Sequence, residues 1–231
     1  ARIAAVMMQT VAVRQLVRPM QVSDIAQVME VEQQSFPSMW PATAFKRELE
    51  HNRLARYLAA VERRAESPEG RQAAPAAAAR TGLRGFLGGL RQVLAGDGAL
   101  PPPEERQELV VGFVGIWLLV DEAHVVTIAV RDSHRRRGVG ELLLIAAIET
   151  ALRERQSVVT LECRVSNAAA LRLYGKYGFE QMDLRHRYYA DNQEDGYILT
   201  ASGIHTPSYR RRFQRLRDEH RERWGEYEFT L

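Results

Sequence analysis

Runs of apolar residues divide the chain into short strands and helices. Residues 109–120 and 123–130 form two apolar, β-branched runs joined by a short polar turn, which predicts a hairpin of central strands. Residues 138–154 carry an apolar stripe at helical spacing, which predicts a long helix. By the same criteria we predict further strands at 11–17, 56–61, 158–165, 179–188 and 194–200, and further helices at 25–31, 42–50, 168–176 and 208–224.

The stretch 63–107 interrupts this regular pattern. It holds five of the nine prolines and seven of the sixteen glycines, which is typical of a flexible insertion between two strands. Apolar residues inside it recur at the spacing of a helix: Leu83, Phe86, Leu87, Leu90 and Leu94. A partner-docking helix and a membrane-surface helix are therefore alternative interpretations. We predict an N-terminal extension at 1–10, one domain at 11–206 that contains this flexible insertion, and a basic C-terminal helix or tail at 207–231.

The charge of the chain is mildly basic and is concentrated in arginine. The formal net charge is +3 over 231 residues, which permits an RNA-rich neighbourhood but does not require nucleic-acid binding. The predicted helix at 208–224 combines many arginines with Tyr209, Phe213 and Trp224. Contact with RNA phosphates is one interpretation, and a solvated helix held on the domain by its aromatic rings is the favoured one. We therefore expect no direct contact with nucleic acid.

Cysteine, histidine and hydropathy patterns narrow the chemistry further. Cys163 is the only cysteine, which excludes an intrachain disulfide and favours a reducing, cytoplasmic location. It is either a catalytic thiol or a small buried side chain, and the second is favoured in a strand. The six histidines show no ligand spacing, so we predict no metal. No apolar run approaches the ~20 residues of a membrane helix, so we predict no membrane span.

A strand, a glycine turn and a helix follow one another between residues 125 and 154. The turn is Arg135-Arg136-Arg137-Gly138-Val139-Gly140, and its glycines allow successive N–H groups to point inward at the start of the helix. Such a helix N-terminus suits a pyrophosphate, although a tight surface turn with solvated arginines is the alternative. A dinucleotide fingerprint would need glycine where Leu143 stands, and a nucleotide-triphosphate loop would need a Gly-Lys-Ser/Thr sequence that is missing here.

The segment 161–179 helps to decide between a phosphate-binding turn and a surface turn at residues 135–140. It reads LECRVSNAAALRLYGKYGF and follows the arginine–glycine turn at a suitable distance. Together the two motifs resemble the GNAT superfamily of N-acetyltransferases, whose signature Arg/Gln-x-x-Gly-x-Gly/Ala is matched by Arg135, Gly138 and Gly140. Segment 161–179 is similar to the ribosomal-protein-alanine N-acetyltransferases of RimI type. The resemblance implies an α/β (α+β) fold with a mixed, mainly antiparallel central sheet flanked by helices.

The resemblance also implies a site for acetyl-CoA as cosubstrate. The backbone N–H groups of the glycine turn are expected to hold the pyrophosphate, and the preceding strand is expected to pair with the pantetheine arm. The predicted contact residues are Ile128, Ala129, Val130, Arg135, Arg136, Arg137, Gly138, Val139, Gly140, Glu141 and Asn167. Asn167 is also a natural helix cap before Ala168, and both roles are open for it.

Two residues of the second motif are the candidates for proton transfer. Glu162 interrupts an apolar strand and, by itself, reads more readily as a paired surface carboxylate. The resemblance places Glu162 at the general base, where it would take a proton from an α-amino group of pKa ~8. Tyr174 falls at the general acid for the departing thiolate, since a thiol and a phenol differ by only ~1.5 pKa units. Aromatic packing is the alternative for Tyr174.

Two loops are candidates for the acceptor side of the site. Residues 187–195 resemble a RimI-type loop whose acids could attract a peptide ammonium group and whose Tyr188 or Tyr189 could wall a groove. A hairpin turn with solvated charges explains this loop almost as well. Phe36 and Trp40, in a proline-punctuated loop, either shape a peptide groove or pack in the core.

The resemblance therefore predicts an acetyl-CoA-dependent enzyme that acetylates a protein N-terminus. The expected partner is a protein N-terminal peptide, with the N-terminal alanine of a small-subunit ribosomal protein as the favoured acceptor. One alternative is a broader N-terminal or small-amine acetyltransferase. Another is a non-catalytic acyl-CoA-binding module that engages a partner through its insertion and tail. The presence of both Glu162 and Tyr174 argues against the non-catalytic alternative.

Overall fold

The computed structural model describes residues 14–37, 39–63 and 108–231. The strands are β1 Arg14–Pro19, β2 Ala55–Arg63, β3 Glu108–Leu118, β4 Glu122–Val130, β5 Val158–Arg164, β6 Glu180–Tyr189, β7 Glu194–Ser202 and β8 Tyr227–Phe229. The helices are α1 Ile25–Ser35, α2 Ala42–His51, α3 Val139–Arg153, α4 Ala168–Lys176 and α5 Pro207–Trp224. The predicted extension at 1–10 and the predicted insertion, apart from Arg63, lie outside the described residues.

The eight strands form one mixed sheet in the order β6-β7-β5-β4-β3-β2-β1-β8. Neighbouring strands run antiparallel except for the β4–β5 and β1–β8 pairs, which are parallel. The predicted mainly antiparallel sheet flanked by helices is therefore confirmed. None of the helices in the described ranges is long and apolar enough to cross a membrane.

Helices cover both faces of the sheet. On one face α3 is almost wholly buried, because its apolar residues extend around most of the helix, as in Leu142, Leu143 and Ile145. The opposite face is covered by α1 and α2, which contribute Val28 and Phe45 to a second apolar cluster. The central part of the sheet is thus the middle of three layers, whereas most residues of the edge strand β6 are exposed.

A gap opens between the two central strands β4 and β5. Their pairing starts at Glu122↔Val158 and ends at Val125↔Leu161, after which β4 stays paired with β3 and β5 stays paired with β7. A bulge lies at this point, because Gly115 pairs with Thr127 while Ile116 pairs with Val125. Bulges of this kind bend a strand and re-aim its side chains. The gap places open strand edge beside the start of the glycine turn.

The two ends of the predicted insertion lie side by side on the sheet. Arg63 and Glu108 are register partners in the β2–β3 pair, and the Nε of Arg63 donates to a Glu108 carboxylate oxygen at 2.7 Å. Arg18 of β1 binds the same carboxylate at 2.8 Å. Segment 64–107 therefore leaves and rejoins the sheet at adjacent positions, and its three sequence interpretations concern residues outside the described ranges.

The C-terminal segment is part of the domain's packing. Helix α5 buries Phe213 and Leu216 in the same apolar cluster as α3, and it also buries His220. After the helix, β8 pairs in parallel with β1, with Tyr227 opposite Gln15. This last strand was not predicted, because three residues with a central glutamate carry too little apolar pattern to indicate a strand.

Candidate active site

The glycine turn connects the end of β4 to the N-terminus of α3, where the first backbone N–H groups of the helix have no acceptor within the helix. Arg136 has a φ of 62° and Gly138 a φ of 81°, so two left-handed residues turn the chain sharply before α3 begins at Val139. The first N–H groups of a helix have no acceptors within the helix and carry its positive dipole end. The turn therefore has the backbone chemistry that a pyrophosphate needs.

Two of the three arginine side chains of the turn, those of Arg135 and Arg137, bind other parts of the protein. Arg135 donates to the backbone carbonyl of Gln34, at the end of α1, at 3.0 Å and forms an ion pair with Asp132 at 2.8 Å. Arg137 lies 3.6 Å from a carboxylate oxygen of Glu62 on β2. These contacts hold the turn against α1 and β2. Because the two side chains are engaged there, the backbone N–H groups of the turn are the main evidence for an anion site.

The open edge of β4 and the start of α4 border the gap between β4 and β5. Ile128, Ala129 and Val130 pair with β3 on one side, and on the other side they lie beyond the last β4–β5 pair. An extended amide-containing chain can pair with such an edge. Across the gap, the side chain of Asn167 accepts the backbone N–H of Ala170 at 3.1 Å, so it caps α4.

Glu162 lies on β5 immediately after the last pair with β4. Its side chain is only 9% exposed; one oxygen forms a hydrogen bond with His124 Nε2 at 2.7 Å, and the other forms an ion pair with Arg185 at 3.0 Å. Burial raises the pKa of Glu162, but the hydrogen bond and charge of His124 and the charge of Arg185 outweigh burial and hold that pKa below its ordinary value. Glu162 is therefore an ionised carboxylate held in a fixed position.

His124 and Arg185 are site residues that the sequence reasoning missed. Thr160 is the register partner of His124, so the parallel pairing of β4 with β5 brings residues 38 positions apart into contact. The hydrogen bond to Glu162 raises the pKa of His124 above its ordinary value, against the effect of burial. The sequence carries no spacing signal for this pair, because it exists only through strand register.

Tyr174 lies on the opposite face of the sheet from Glu162. Cys163 packs with Tyr174 in the cluster around α3. Because alternate residues of a strand face opposite sides, the neighbouring Glu162 faces the other side of the sheet. Burial raises the pKa of the Tyr174 phenol above its ordinary value, so the hydroxyl keeps its proton at neutral pH. The two predicted proton-transfer residues thus lie on opposite faces of the sheet.

Cys163 is a buried thiol. Burial raises the pKa of Cys163 to about 11, so the sulfur is protonated at neutral pH and is a poor nucleophile. In the described part of the chain, moreover, no three His, Cys, Asp or Glu side chains come together as ligands for a metal ion. The candidates for proton transfer in the described residues are therefore Glu162, its partner His124, and Tyr174.

The acids of the β6–β7 loop bind an arginine of β5. Arg164 forms ion pairs with Asp191 at 2.7 Å and Glu194 at 3.1 Å, and its guanidinium lies 3.9 Å from the centre of the Tyr189 ring. Hydrogen bonds from Ser166 lower the pKa of Glu194 to about 2. Asp191 and Glu194 are thus paired with Arg164, whereas the two earlier interpretations had these acids either attracting a peptide ammonium group or solvated in a hairpin turn. Tyr188 is 41% exposed beside Arg185 and remains a candidate wall of a groove.

The loop between α1 and α2 covers the Glu162 side of the sheet. The Trp40 ring packs on Phe45 at a centroid distance of 6.0 Å but stays partly exposed, whereas Phe36 packs against the α1–α2 cluster. The backbone N–H of Trp40 donates to Glu32 at 3.3 Å. Phe36 therefore has the packing role of the two earlier alternatives, and Trp40 presents an exposed aromatic edge.

Comparisons with known proteins agree on one family. The model of the "Acetyltransferase (GNAT) family" matches residues 95–179. A Bacillus subtilis protein named as a putative [ribosomal protein bS18]-alanine N-acetyltransferase is 31% identical over 183 residues, which cover 79% of this chain and 92% of the relative.

Solved structures share the fold at low sequence identity. The ribosomal-protein-S18-alanine N-acetyltransferase of Escherichia coli superposes with a TM-score of 0.56 at 20% identity, covering 82% of this chain and 94% of that chain. Arabidopsis thaliana NAA60 in complex with acetyl-CoA has a TM-score of 0.58 at 16% identity, covering 81% of this chain and 99% of that chain. At these identities the likeness concerns the fold.

Proposed function

The chain belongs to the acetyltransferase (GNAT) family, and we propose that it moves the acetyl group of acetyl-CoA to the N-terminal α-amino group of a protein in the cytoplasm. The favoured acceptor is the N-terminal alanine of a small-subunit ribosomal protein, in line with the name of the Bacillus subtilis relative. The observation that supports the proposal is the position of Glu162 on β5 directly after the last β4–β5 pair, on the face of the sheet away from the cluster that contains Tyr174.

The residues that would hold acetyl-CoA fit its chemistry. The backbone N–H groups from Arg136 to Glu141 offer donors to the two phosphates at the dipole end of α3. The open edge of β4 at Ile128, Ala129 and Val130 offers backbone groups to the pantetheine amides, and Asn167 borders the same gap. When bound, acetyl-CoA supplies the acetyl group as a reactive thioester.

Glu162 acts on the acceptor amine. An α-amino group has a pKa of about 8, so at neutral pH most of it is protonated and must lose one proton before attack. The Glu162 carboxylate, ionised because of its lowered pKa, accepts that proton directly or through a water molecule. His124 and Arg185 hold the carboxylate in place through contacts of 2.7 and 3.0 Å.

Tyr174 acts on the departing sulfur from the other face. Burial raises the pKa of Tyr174, which keeps the hydroxyl protonated but makes the phenol a weaker acid, so its contribution is a hydrogen bond donated to the departing sulfur. We expect Tyr174→Phe to lower kcat by about tenfold, less than a change at the base, because a thiolate of pKa ~8.5 departs with partial help from water. Single-turnover kinetics with a saturating peptide measure this step.

Tyr209→Phe is the matched control for Tyr174→Phe. It also removes one phenol hydroxyl, which in Tyr209 donates to the backbone carbonyl of Tyr177 at 3.0 Å at the start of α5. We expect the control to lower thermal stability without lowering kcat. Equal turnover in Tyr174→Phe and in the unmodified protein would refute the acid role of Tyr174.

A peptide panel tests the proposed acceptor. We expect acetyl transfer to peptides that begin with Ala to exceed transfer to peptides that begin with Ser or Met, and an internal Lys to be a poor acceptor. The physical reason is the ordinary pKa of ~10.4 of a lysine, which leaves far less free amine than an α-amino group. Mass spectrometry locates the acetyl group. Preference for Lys would refute N-terminal transfer, and thiol release independent of any acceptor would refute acetyl transfer altogether.

A further inference from the structure

The last turn of α5 lies directly on the glycine turn. A Cβ atom built on Gly138 would lie 2.6 Å from Cγ and 2.7 Å from Cδ1 of Trp224, so the indole ring rests against the Gly138 backbone. Gly138 is the left-handed residue, with a φ of 81°, that directs the chain into α3. The C-terminal helix therefore contacts the predicted phosphate-binding turn at its conformationally special residue.

His220, one turn earlier in α5, binds the same residue. Its side chain is 1% exposed, and its Nε2–H donates to the backbone carbonyl of Gly138 at 3.1 Å. The same carbonyl accepts the Leu142 N–H at 2.9 Å, the first hydrogen bond of α3. Burial lowers the pKa of His220, which keeps the ring neutral with one nitrogen free to donate. Trp224 and His220 thus hold Gly138 through packing and a hydrogen bond.

The rest of α5 is anchored firmly enough to support these contacts. Tyr209 donates to the carbonyl of Tyr177 at 3.0 Å at the start of the helix, and Arg217 pairs with Glu149 of α3 at 3.1 Å in its middle. Beyond the helix, Tyr227 of β8 joins the sheet and stacks edge-on against His220 at 5.3 Å. Both ends of the segment are therefore fixed to the domain before the ligand arrives.

We propose that Trp224 and His220 are positioning residues for acetyl-CoA binding. By holding Gly138 in its left-handed conformation, they keep the N–H groups at the start of α3 aligned for the pyrophosphate, so that binding does not have to order the turn. The inference rests on the proposed function of the turn, and it assigns a role to the C-terminal helix that requires no contact with RNA. Arg212 of α5 likewise binds the protein itself, since it donates to the carbonyls of Gly175 and Lys176 at 3.2 and 2.7 Å.

Calorimetric titration with two ligands tests the inference without relying on turnover. Coenzyme A carries the phosphates, and pantetheine lacks them. For Trp224→Ala we expect the Kd for coenzyme A to rise about tenfold, with the Kd for pantetheine unchanged. Trp224→Phe keeps a ring against Gly138 and should give a smaller rise. A purely structural role would lower the melting temperature and weaken both ligands alike.

Arg215→Ala is the control on the same helix. Its side chain is 67% exposed and pairs only with Glu219 of the same helix among the contacts described, so both Kd values should match those of the unmodified protein. An unchanged Kd for coenzyme A in a folded Trp224→Ala variant would overturn the inference while leaving the proposed function intact. If Trp224→Ala does not fold, an unchanged Kd in Trp224→Phe and in His220→Phe overturns it equally. An unmodified protein that binds no coenzyme A would overturn both.

Discussion

Glu162→Gln is expected to lower kcat by about 100-fold or more, the range over which a positioned general base contributes. Glutamine has the shape of glutamate but cannot accept a proton from the amine, and the change lies outside the turn predicted to bind the phosphates. The Kd for coenzyme A should therefore stay the same. Rapid-quench measurement of acetyl transfer, together with calorimetric titration of coenzyme A, separates the two quantities.

Glu180→Gln is the matched control for the base. Glu180 is an exposed carboxylate at the start of β6, so its loss should leave kcat and the Kd for coenzyme A unchanged. In Glu162→Gln, by contrast, His124 and Arg185 each lose an anionic partner, and some loss of thermal stability is expected. Normal turnover in a folded Glu162→Gln protein would exclude Glu162 as the base.

Gly138→Ala is the second substitution with a large expected effect. The left-handed φ of 81° costs an alanine about 1–2 kcal/mol, and its Cβ would come within 2.6–2.8 Å of three ring atoms of Trp224. An indole ring held in a packed site cannot give way cheaply, so the turn or the end of α5 must move. We expect a lower melting temperature and a Kd for coenzyme A at least about tenfold higher.

Gly175→Ala provides the control for a glycine change as such. Gly175 lies within α4, and a Cβ built there meets nothing within 4 Å. This variant should be as stable as the unmodified protein or more stable by about 0.5–1 kcal/mol, because alanine is the better helix former. A double variant that combines Gly138→Ala with Trp224→Ala removes the clash with the indole ring but keeps the backbone strain at residue 138.

Binding of coenzyme A by the single variant Gly138→Ala with normal affinity would show that the turn tolerates a different conformation.

Much of the secondary structure could be predicted because its signals are local. The helix predicted at 168–176 matches α4, Ala168–Lys176, since a capping asparagine and an apolar face both lie within nine residues. The helix predicted at 138–154 differs from α3 by one residue at each end. The strand predicted at 11–17 ends two residues short of β1, which continues to Pro19, since short apolar alternation does not define strand ends, and residues 11–13 lie outside the described range.

By itself, the sequence determined the glycine turn, because a turn depends on a short run of neighbouring residues, and its resemblance to a known family predicted the mixed fold and the candidate residues Glu162 and Tyr174. Only the tertiary structure decided which groups those residues meet. His124 reaches Glu162 through parallel strand register, and Trp224 reaches Gly138 because α5 packs beside α3. Contacts between distant parts of a chain depend on packing and strand register. A shift of one residue in the register would turn the side chains of a strand to the other face of the sheet. The partners of the Glu162 carboxylate and the support of the glycine turn were therefore visible only in the fold.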